Sequence, residues 1–445
     1  MKNSNMGRKH IYDHDPVYTF LKPYVDLILR HSYRKMEISG QDNIPTDGAV
    51  LFAPNHSNTL MDALVILYAN KGTTVFGARA DLFNNRFIGK IMSFLRILPM
   101  VRQRDGLRNV LKNHETQETI VATLENKVGF CIFPEGRHRP EKSLLPLGKG
   151  IFRAALAANA KFGDNMPVYI VPVGIEYGDF FRFRSTSLVN YGKPINVTGF
   201  IADADTGNEP QIIDQMRKEL SGRMSELFSY IPDCDSLKAK WVLTKMLAIA
   251  EDPKGYGNFG TSLYNGMLHN REIISGIEDA CTRYPEQMSE ILEKAAEFDR
   301  HRRRDGISIY SFSHRNTIAD NIRKGFTALL GLPYFIFSAT VSLPLWMIYL
   351  VLQKKIKDRA FHNTIGFGVK LAGGSILGLT YLILALCFAP WWIALPVFLM
   401  TIPSYSWFFD YIEGCRRWIS DMKYHKCRKL RKSYEKITEM YFNLK

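Results

Sequence analysis

The sequence predicts an α/β domain with a mostly parallel sheet flanked by helices, followed by a helical segment and C-terminal membrane helices. Three observations carry that prediction. Extended runs recur near 36–38, 49–53, 73–77, 128–133, 168–175 and 187–191, with helical patterns between them at 58–70, 107–126, 148–161 and 211–230. The run Val128-Gly129-Phe130-Cys131-Ile132-Phe133 is apolar throughout, as a strand covered on both faces should be. Two long uncharged stretches, Phe326 to Leu352 and Leu371 to Phe409, lie in the last third of the chain. A single span needs about 20 apolar residues, so the second stretch is long enough for two, divided near Pro390-Trp391-Trp392.

In chain order, residues 1–34 come first, with Val17, Phe20, Leu21, Tyr24, Val25, Ile28 and Leu29 at helical spacing and Lys22, Arg30 and Arg34 beside them. That pattern suits a helix lying in a membrane interface or one packed on the domain. Residues 35–232 hold the alternating strands and helices. Residues 233–325 are charged, helix-rich and strand-poor, and include His301-Arg302-Arg303-Arg304. Membrane-embedded segments occupy 326–410, and a basic cytoplasmic tail, 411–445, ends the chain.

The balance of 58 Lys+Arg against 43 Asp+Glu gives +15, which favours an anionic partner. Nucleic acid is excluded as that partner: no recognition motif is present, and the basic residues sit beside apolar stretches instead of forming a separate arm. An anionic membrane and phosphate-bearing substrates fit better. The six cysteines are scattered without metal-ligand spacing, so no metal is expected. The first fifteen residues are polar and carry no apolar core of a secretory signal.

Chemistry concentrates at two strand ends. The run Ala49-Val50-Leu51-Phe52-Ala53-Pro54 ends on Asn55-His56, and Asp62 follows. A histidine at a strand mouth with a nearby carboxylate is the minimal kit for general-base work: the acid fixes the ring, and the ring takes a proton from a hydroxyl. On one continuous helix the six-residue step from His56 to Asp62 turns about 240° and separates the two side chains. A turn must therefore precede the helix, with Ser57 or Asn58 as its N-cap. The second strand end, Phe133-Pro134-Glu135-Gly136, repeats the design.

These blocks, with Ile97-Leu98-Pro99-Met100-Val101-Arg102 and Ile170-Val171-Pro172-Val173, resemble in order and spacing those of the glycerolphosphate and lysophosphatidate acyltransferases over roughly residues 35–200. Two departures stand out. The family usually has four residues between His and Asp where this chain has five, a variant associated with a branch that includes glycerol-3-phosphate acyltransferases. Arg137-His138-Arg139 also replaces the usual small hydroxyl residue and arginine after the Glu-Gly pair.

The resemblance implies a membrane-bound O-acyltransferase of phospholipid biosynthesis. It would move a fatty acyl group from acyl-CoA or acyl carrier protein, as co-substrate and with no cofactor, to a hydroxyl of lysophosphatidate; glycerol-3-phosphate is the alternative acceptor. His56 is the expected general base and Asp62 its orienter. Free imidazole titrates near pH 6.5, so it serves as a base at neutral pH. No Ser or Cys sits in a nucleophile elbow, which favours direct attack in a ternary complex. Arg102, Glu135, Gly136, Arg137 and Arg139 are the expected acceptor-binding residues, since a guanidinium can grip a phosphate bidentately. Pro172 would shape the far wall of the site. His138 competes as a base but lies in a basic cluster. A non-catalytic membrane scaffold or lipid-binding protein explains the spans but not the ordered blocks. A transporter would need charges within its spans. A hydrolase built on the same pair is the nearest rival enzyme.

The catalytic domain is expected to face the cytoplasm, with basic flanks on that side. Three flanks exist: Arg323-Lys324, Lys354-Lys355 with Lys357 and Arg359, and the residues from Arg416 onward. If the first apolar stretch crossed once and the second twice, two of the three would fall outside. A re-entrant hairpin broken near Pro333, Ser338-Ala339-Thr340 or Pro344 removes the conflict.

Overall fold

The computed structural model describes residues 10–70, 73–84, 86–100, 109–204, 208–252, 262–313 and 316–444. The chain divides into two compact units: Met1–Arg30, Met36–Phe180 and Ser187–Phe228 form the first, and His31–Lys35, Phe181–Thr186 and Ser229–Lys445 the second.

The first unit begins with α1 (Pro16–Ser32), whose first turn is capped by the Asp15 carboxylate accepting from the N–H groups of Val17 and Tyr18. Tyr18 and Leu29 are buried, while Val17, Phe20 and Leu27 are exposed. The strands are β1 (Tyr33–Ser39), β2 (Ala49–Pro54), β3 (Thr74–Arg79), β4 (Ile97–Met100), β5 (Gly129–Cys131), β6 (Val168–Tyr177), β7 (Ser185–Tyr191) and β8 (Ile195–Asn196). They form one sheet in the order β1-β7-β6-β2-β5-β3-β4, with β8 paired to β6. The centre is parallel, β6 beside β2, β2 beside β5, β5 beside β3 and β3 beside β4; β7 and β8 join β6 antiparallel. The expected mostly parallel sheet is present.

The helices between the strands are α2 (Thr59–Ala69), α3 (Arg86–Phe94), α4 (Asn109–Glu125) and α5 (Gly150–Phe162), and α6 (Val197–Ala202) and α7 (Glu209–Ser225) follow the last strand. Crossovers of this kind cover both faces of a parallel sheet. All six residues of β2 are therefore buried, as are Met61, Leu64, Val65, Ile66 and Leu67 of α2. β2, β5 and β6 are neighbours, and their carboxyl ends bring the chain segments after Pro54, Cys131 and Tyr177 to one edge, the edge where sheets of this kind bind ligands.

The second unit is helical. α8 (Leu237–Glu251), α9 (Leu263–Arg283), α10 (Pro285–Arg304) and the terminal α15 (Arg428–Phe442) contribute to one core that includes Leu243, Leu247, Ile277, Phe298, Leu430, Ile437 and Tyr441. Residues 428–442 thus pack as a helix of this core, where the sequence suggested only a basic tail. Between α10 and α15 lie α11 (Ile318–Lys355), α12 (His362–Gly368), α13 (Gly374–Phe388) and α14 (Trp391–Lys426). Three segments, Ile318–Lys355, Arg359–Phe388 and Trp391–Lys426, are long and apolar enough to cross a membrane.

α11 does not run straight along α14. Gly325 lies against Trp418, the Tyr411 hydroxyl donates to the Ala328 carbonyl, and the Ser338 hydroxyl donates to the Ser404 carbonyl. Beyond Pro344 the order reverses: Trp346 packs on Phe408 and Tyr349 on Phe409. Pro344 lacks the N–H that would close the turn onto Thr340, and the Tyr381 hydroxyl donates to the neighbouring Val341 carbonyl at 2.8 Å. Charge gathers at one level of this bundle, where Asp410 accepts from Arg34 and Arg184 and Glu413 from Arg182.

Candidate active site

β2 delivers His56 to the carboxyl edge, and an asparagine fixes where the strand stops. The Asn55 side chain mimics a strand partner for Ile175 of β6, donating to its carbonyl at 3.1 Å and accepting from its N–H at 2.6 Å. The His56 ring then meets Asp62, with Nδ1 2.8 Å from Oδ2. Asp62 is fully buried, and the His56 side chain is 18% exposed, so the acid is dry and the ring reaches solvent.

The five intervening residues reach this geometry through a turn, not a straight helix. Asn58 is the N-cap of α2, but its side chain makes no capping bond. Asp62 caps instead: Oδ2 also accepts from the N–H groups of Ser57 at 2.8 Å and Asn58 at 2.7 Å. The chain folds back over the first turn, which carries His56 to the same carboxylate. Thr59, the first helical residue, has φ 46, a left-handed conformation that is costly for a β-branched side chain. That strained residue absorbs the step that a continuous helix could not.

The segment after β5 closes over the pair. Pro134 and Glu135 sit at the centre of a turn in which the Gly136 N–H donates to the Phe133 carbonyl, and Gly136 leaves it at φ 66, a conformation that glycine adopts freely. Glu135 accepts from the His56 N–H at 2.7 Å and from the Leu145 N–H at 2.8 Å. Burial pushes its carboxyl above the ordinary value, against those two hydrogen bonds and the nearby His56, which pull it down. The Arg139 N–H donates to the His56 carbonyl and the Gly148 N–H to the Pro134 carbonyl, so the loop is tied at both ends. The Phe133 ring stacks on His56 at 4.3 Å, and the His138 ring stands edge-on to it at 5.7 Å.

The expected binding residues divide. Glu135, expected among the acceptor-binding residues, is held by the backbone N–H groups of His56 and Leu145. Arg139 is half-buried, donates to Ser143 Oγ and lies 3.5 Å from Glu141. Arg137 is exposed on the same loop, beside Gly136 and His138. Pro172 is buried within β6, opposite Ala53. Arg102 lies outside the described residues. Two contributors carry no motif in the sequence: Tyr177, whose hydroxyl donates to Asp62 Oδ1 at 2.8 Å, and the Leu145 N–H. Tyr177 stands four residues past the last residue of the Ile170-Val171-Pro172-Val173 block, on the same strand.

A histidine–carboxylate pair at the end of a parallel strand, with the ring partly open, has the geometry that general-base chemistry needs. Residues 35–176 match the family described as Acyltransferase. Glycerol-3-phosphate O-acyltransferase 2 of Saccharomyces cerevisiae is 25% identical over 290 residues, 63% of this chain and 37% of the yeast protein. Glycerol-3-phosphate O-acyltransferase 1 of the same yeast is 41% identical over 66 residues, 15% of this chain and 9% of that protein. The chain therefore spans well under half the length of the curated relatives it matches. Among solved structures, the 1-acyl-sn-glycerophosphate acyltransferase PlsC from Thermotoga maritima aligns with a TM-score of 0.34 and 16% identity, over 48% of this chain and 80% of that one.

Proposed function

We propose that this protein is a membrane-bound O-acyltransferase that moves a fatty acyl group from an acyl thioester to a hydroxyl of a glycerol phosphate. The observation that carries the reading is the 2.8 Å contact between His56 Nδ1 and a fully buried Asp62. With Nδ1–H donated to Asp62, the lone pair of Nε2 faces outward, and no protein group partners Nε2 among the described residues. Nε2 takes the proton of the acceptor hydroxyl as its oxygen attacks the thioester carbonyl. The C–S bond then breaks, and the imidazolium returns the proton to the departing thiolate, so ester and free thiol are formed with no net change at the enzyme. Asp62 stays ionised and stabilises the imidazolium.

The acceptor we favour is glycerol-3-phosphate. Both the five-residue His–Asp spacing and the glycerol-3-phosphate acyltransferase names of the yeast relatives support it. Lysophosphatidate, which the more common members of the resembling family accept, is the second reading. Arg137, exposed beside the glycine turn, and Arg102 are the proposed grips on the acceptor phosphate. Offering both acceptors together with one acyl-CoA and resolving the products decides the acceptor. Thiol release that is equally fast without any acceptor would instead make the protein a hydrolase.

The same reading assigns the membrane arrangement. The α13–α14 hairpin spans the bilayer, with Trp391 and Trp392 at the far interface, where amphipathic rings settle. α11 enters, turns over near Pro344 and leaves on the side it entered. The reversal of its contacts along α14 supports this, and every basic flank then lies on the cytoplasmic side.

A further inference from the structure

We propose that Tyr177 is a positioning residue of the reaction: its hydroxyl sets the orientation and basicity of Asp62 and thereby the proton affinity of His56. The inference rests on the general-base reading above and adds to it a residue that no motif contains.

Four donors converge on the Asp62 carboxylate. Oδ2 takes three of them, His56 Nδ1 and the Ser57 and Asn58 N–H groups, while Oδ1 takes the Tyr177 hydroxyl at 2.8 Å. The three on Oδ2 come from one stretch of chain, residues 56–58, and leave the carboxylate free to pivot about that oxygen. Tyr177 comes from β6, on a different element, and holds the opposite oxygen. It is only 2% exposed, and its ring is packed near Phe180. β6 therefore fixes both members of the pair, His56 through the Asn55–Ile175 clamp and Asp62 through Tyr177, two residues further along the strand.

The hydroxyl also has an electrostatic effect. A hydrogen bond to a carboxylate spreads its charge and lowers its basicity. With Tyr177 in place, Asp62 holds the Nδ1 proton without competing for it, and the imidazolium stays acidic enough to hand its proton to a thiolate. Without the hydroxyl, the carboxylate becomes more basic and stabilises the imidazolium more strongly. Less free base then remains at neutral pH. The other titratable or charged groups facing His56 or Asp62 are Glu135, His138 and Arg139 from the loop after β5 and Cys131 from β5 itself; none of them touches Oδ1 among the described residues.

Tyr177→Phe removes the hydroxyl and keeps the ring. Carbethoxylation of the His56 peptide, followed against pH by mass spectrometry, reads the titration of His56 whether or not acyl transfer occurs. The proposal expects the midpoint in Tyr177→Phe to rise by about 0.5–1 pH unit, with the acidic limb of kcat/KM moving in the same direction and kcat falling roughly tenfold. Incorporation of 3-fluorotyrosine at position 177 preserves the packing and strengthens the hydrogen bond, so the midpoint should move down. Coincident midpoints in wild type and both variants would overturn the proposal and leave Tyr177 a packing residue. Absence of acyl transfer in the wild type would instead overturn the enzymatic reading, whatever the midpoints do.

Discussion

The backbone N–H of His56 donates to the Glu135 carboxylate at 2.7 Å, so the residue proposed as the base is held in place by an acid 79 positions later in the chain. The other oxygen of Glu135 accepts from the Leu145 N–H, and one half-buried side chain thereby fastens the end of β2 to both arms of the loop after β5. Glu135→Gln cannot serve both N–H groups, because its amide nitrogen would face one donor with another. Losing a buried partner costs about 1–3 kcal/mol, which a lower Tm should report, with a fall in activity from the displaced His56. The pH dependence has a definite sign. Burial raises the Glu135 pKa above the ordinary carboxylate value, so its contribution to stability is fully present below that ordinary value and is lost as pH rises through the raised one. The advantage of wild type over Glu135→Gln should narrow across that window. An advantage that widens with pH would refute this account.

His56→Ala should abolish acyl transfer while folding and membrane association persist, a loss of roughly 10²–10⁴-fold. Asp62→Asn should lose less. Its amide oxygen can still take the three donors that converge on Oδ2, and the Tyr177 hydroxyl can rotate to accept from the amide nitrogen, so the fold survives and only the charge is removed. Near wild-type turnover in purified His56→Ala would end the general-base mechanism.

The arginines should separate by kinetics. Arg137→Ala and Arg102→Ala should raise the KM for the acceptor more than that for the acyl donor, each by about 1.5–3 kcal/mol for a lost charge-assisted contact to phosphate. Arg139 is engaged with Ser143 and Glu141 inside its own loop, so Arg139→Ala should lower Tm and affect both substrates alike. The opposite pattern, an acceptor effect confined to Arg139→Ala, would transfer the phosphate contact to that residue.

Much of this arrangement was legible in the sequence, for identifiable reasons. Six of the eight strands fall on the extended runs, most plainly β2 and β5, where a doubly covered parallel sheet leaves no polar face, and α2, α4, α5 and α7 follow their apolar spacing to within a few residues. β4 and β8 were not read as strands: β4 has four residues with a proline among them, and β8 has two. The need for a turn between His56 and Asp62 followed from helical geometry alone. The means did not, since no propensity announces that a threonine adopts φ 46. Thr59→Gly should relieve that strain and leave stability unchanged or higher by up to about 1 kcal/mol. A clear drop in Tm would mean that contacts of the Thr59 side chain outweigh the strain. Tyr177 and the Leu145 N–H were invisible because their partners lie 115 and 10 residues away, and only the folded chain brings them together.

The membrane arrangement makes the last prediction. A helix that crossed once beside α14 would meet its partners in one continuous order, yet α11 passes Trp418, Tyr411 and Ser404 and then returns to Phe408 and Phe409. Backbone groups freed by such a reversal must be satisfied within the protein, and the Tyr381 hydroxyl, donating to the Val341 carbonyl, supplies a contact of that kind near the bend. Single cysteines at four positions, in a chain whose six native cysteines are replaced, test the topology with a membrane-impermeant maleimide on intact cells. With the turn-over arrangement, Ala389→Cys at the tip of the hairpin is labelled, whereas Ile356→Cys, Glu435→Cys and Lys161→Cys in the first unit are protected. A plain single crossing reverses three of these, labelling positions 356 and 435 and protecting 389. Labelling of Lys161→Cys would place the first unit outside and remove it from the compartment in which acyl thioesters are made.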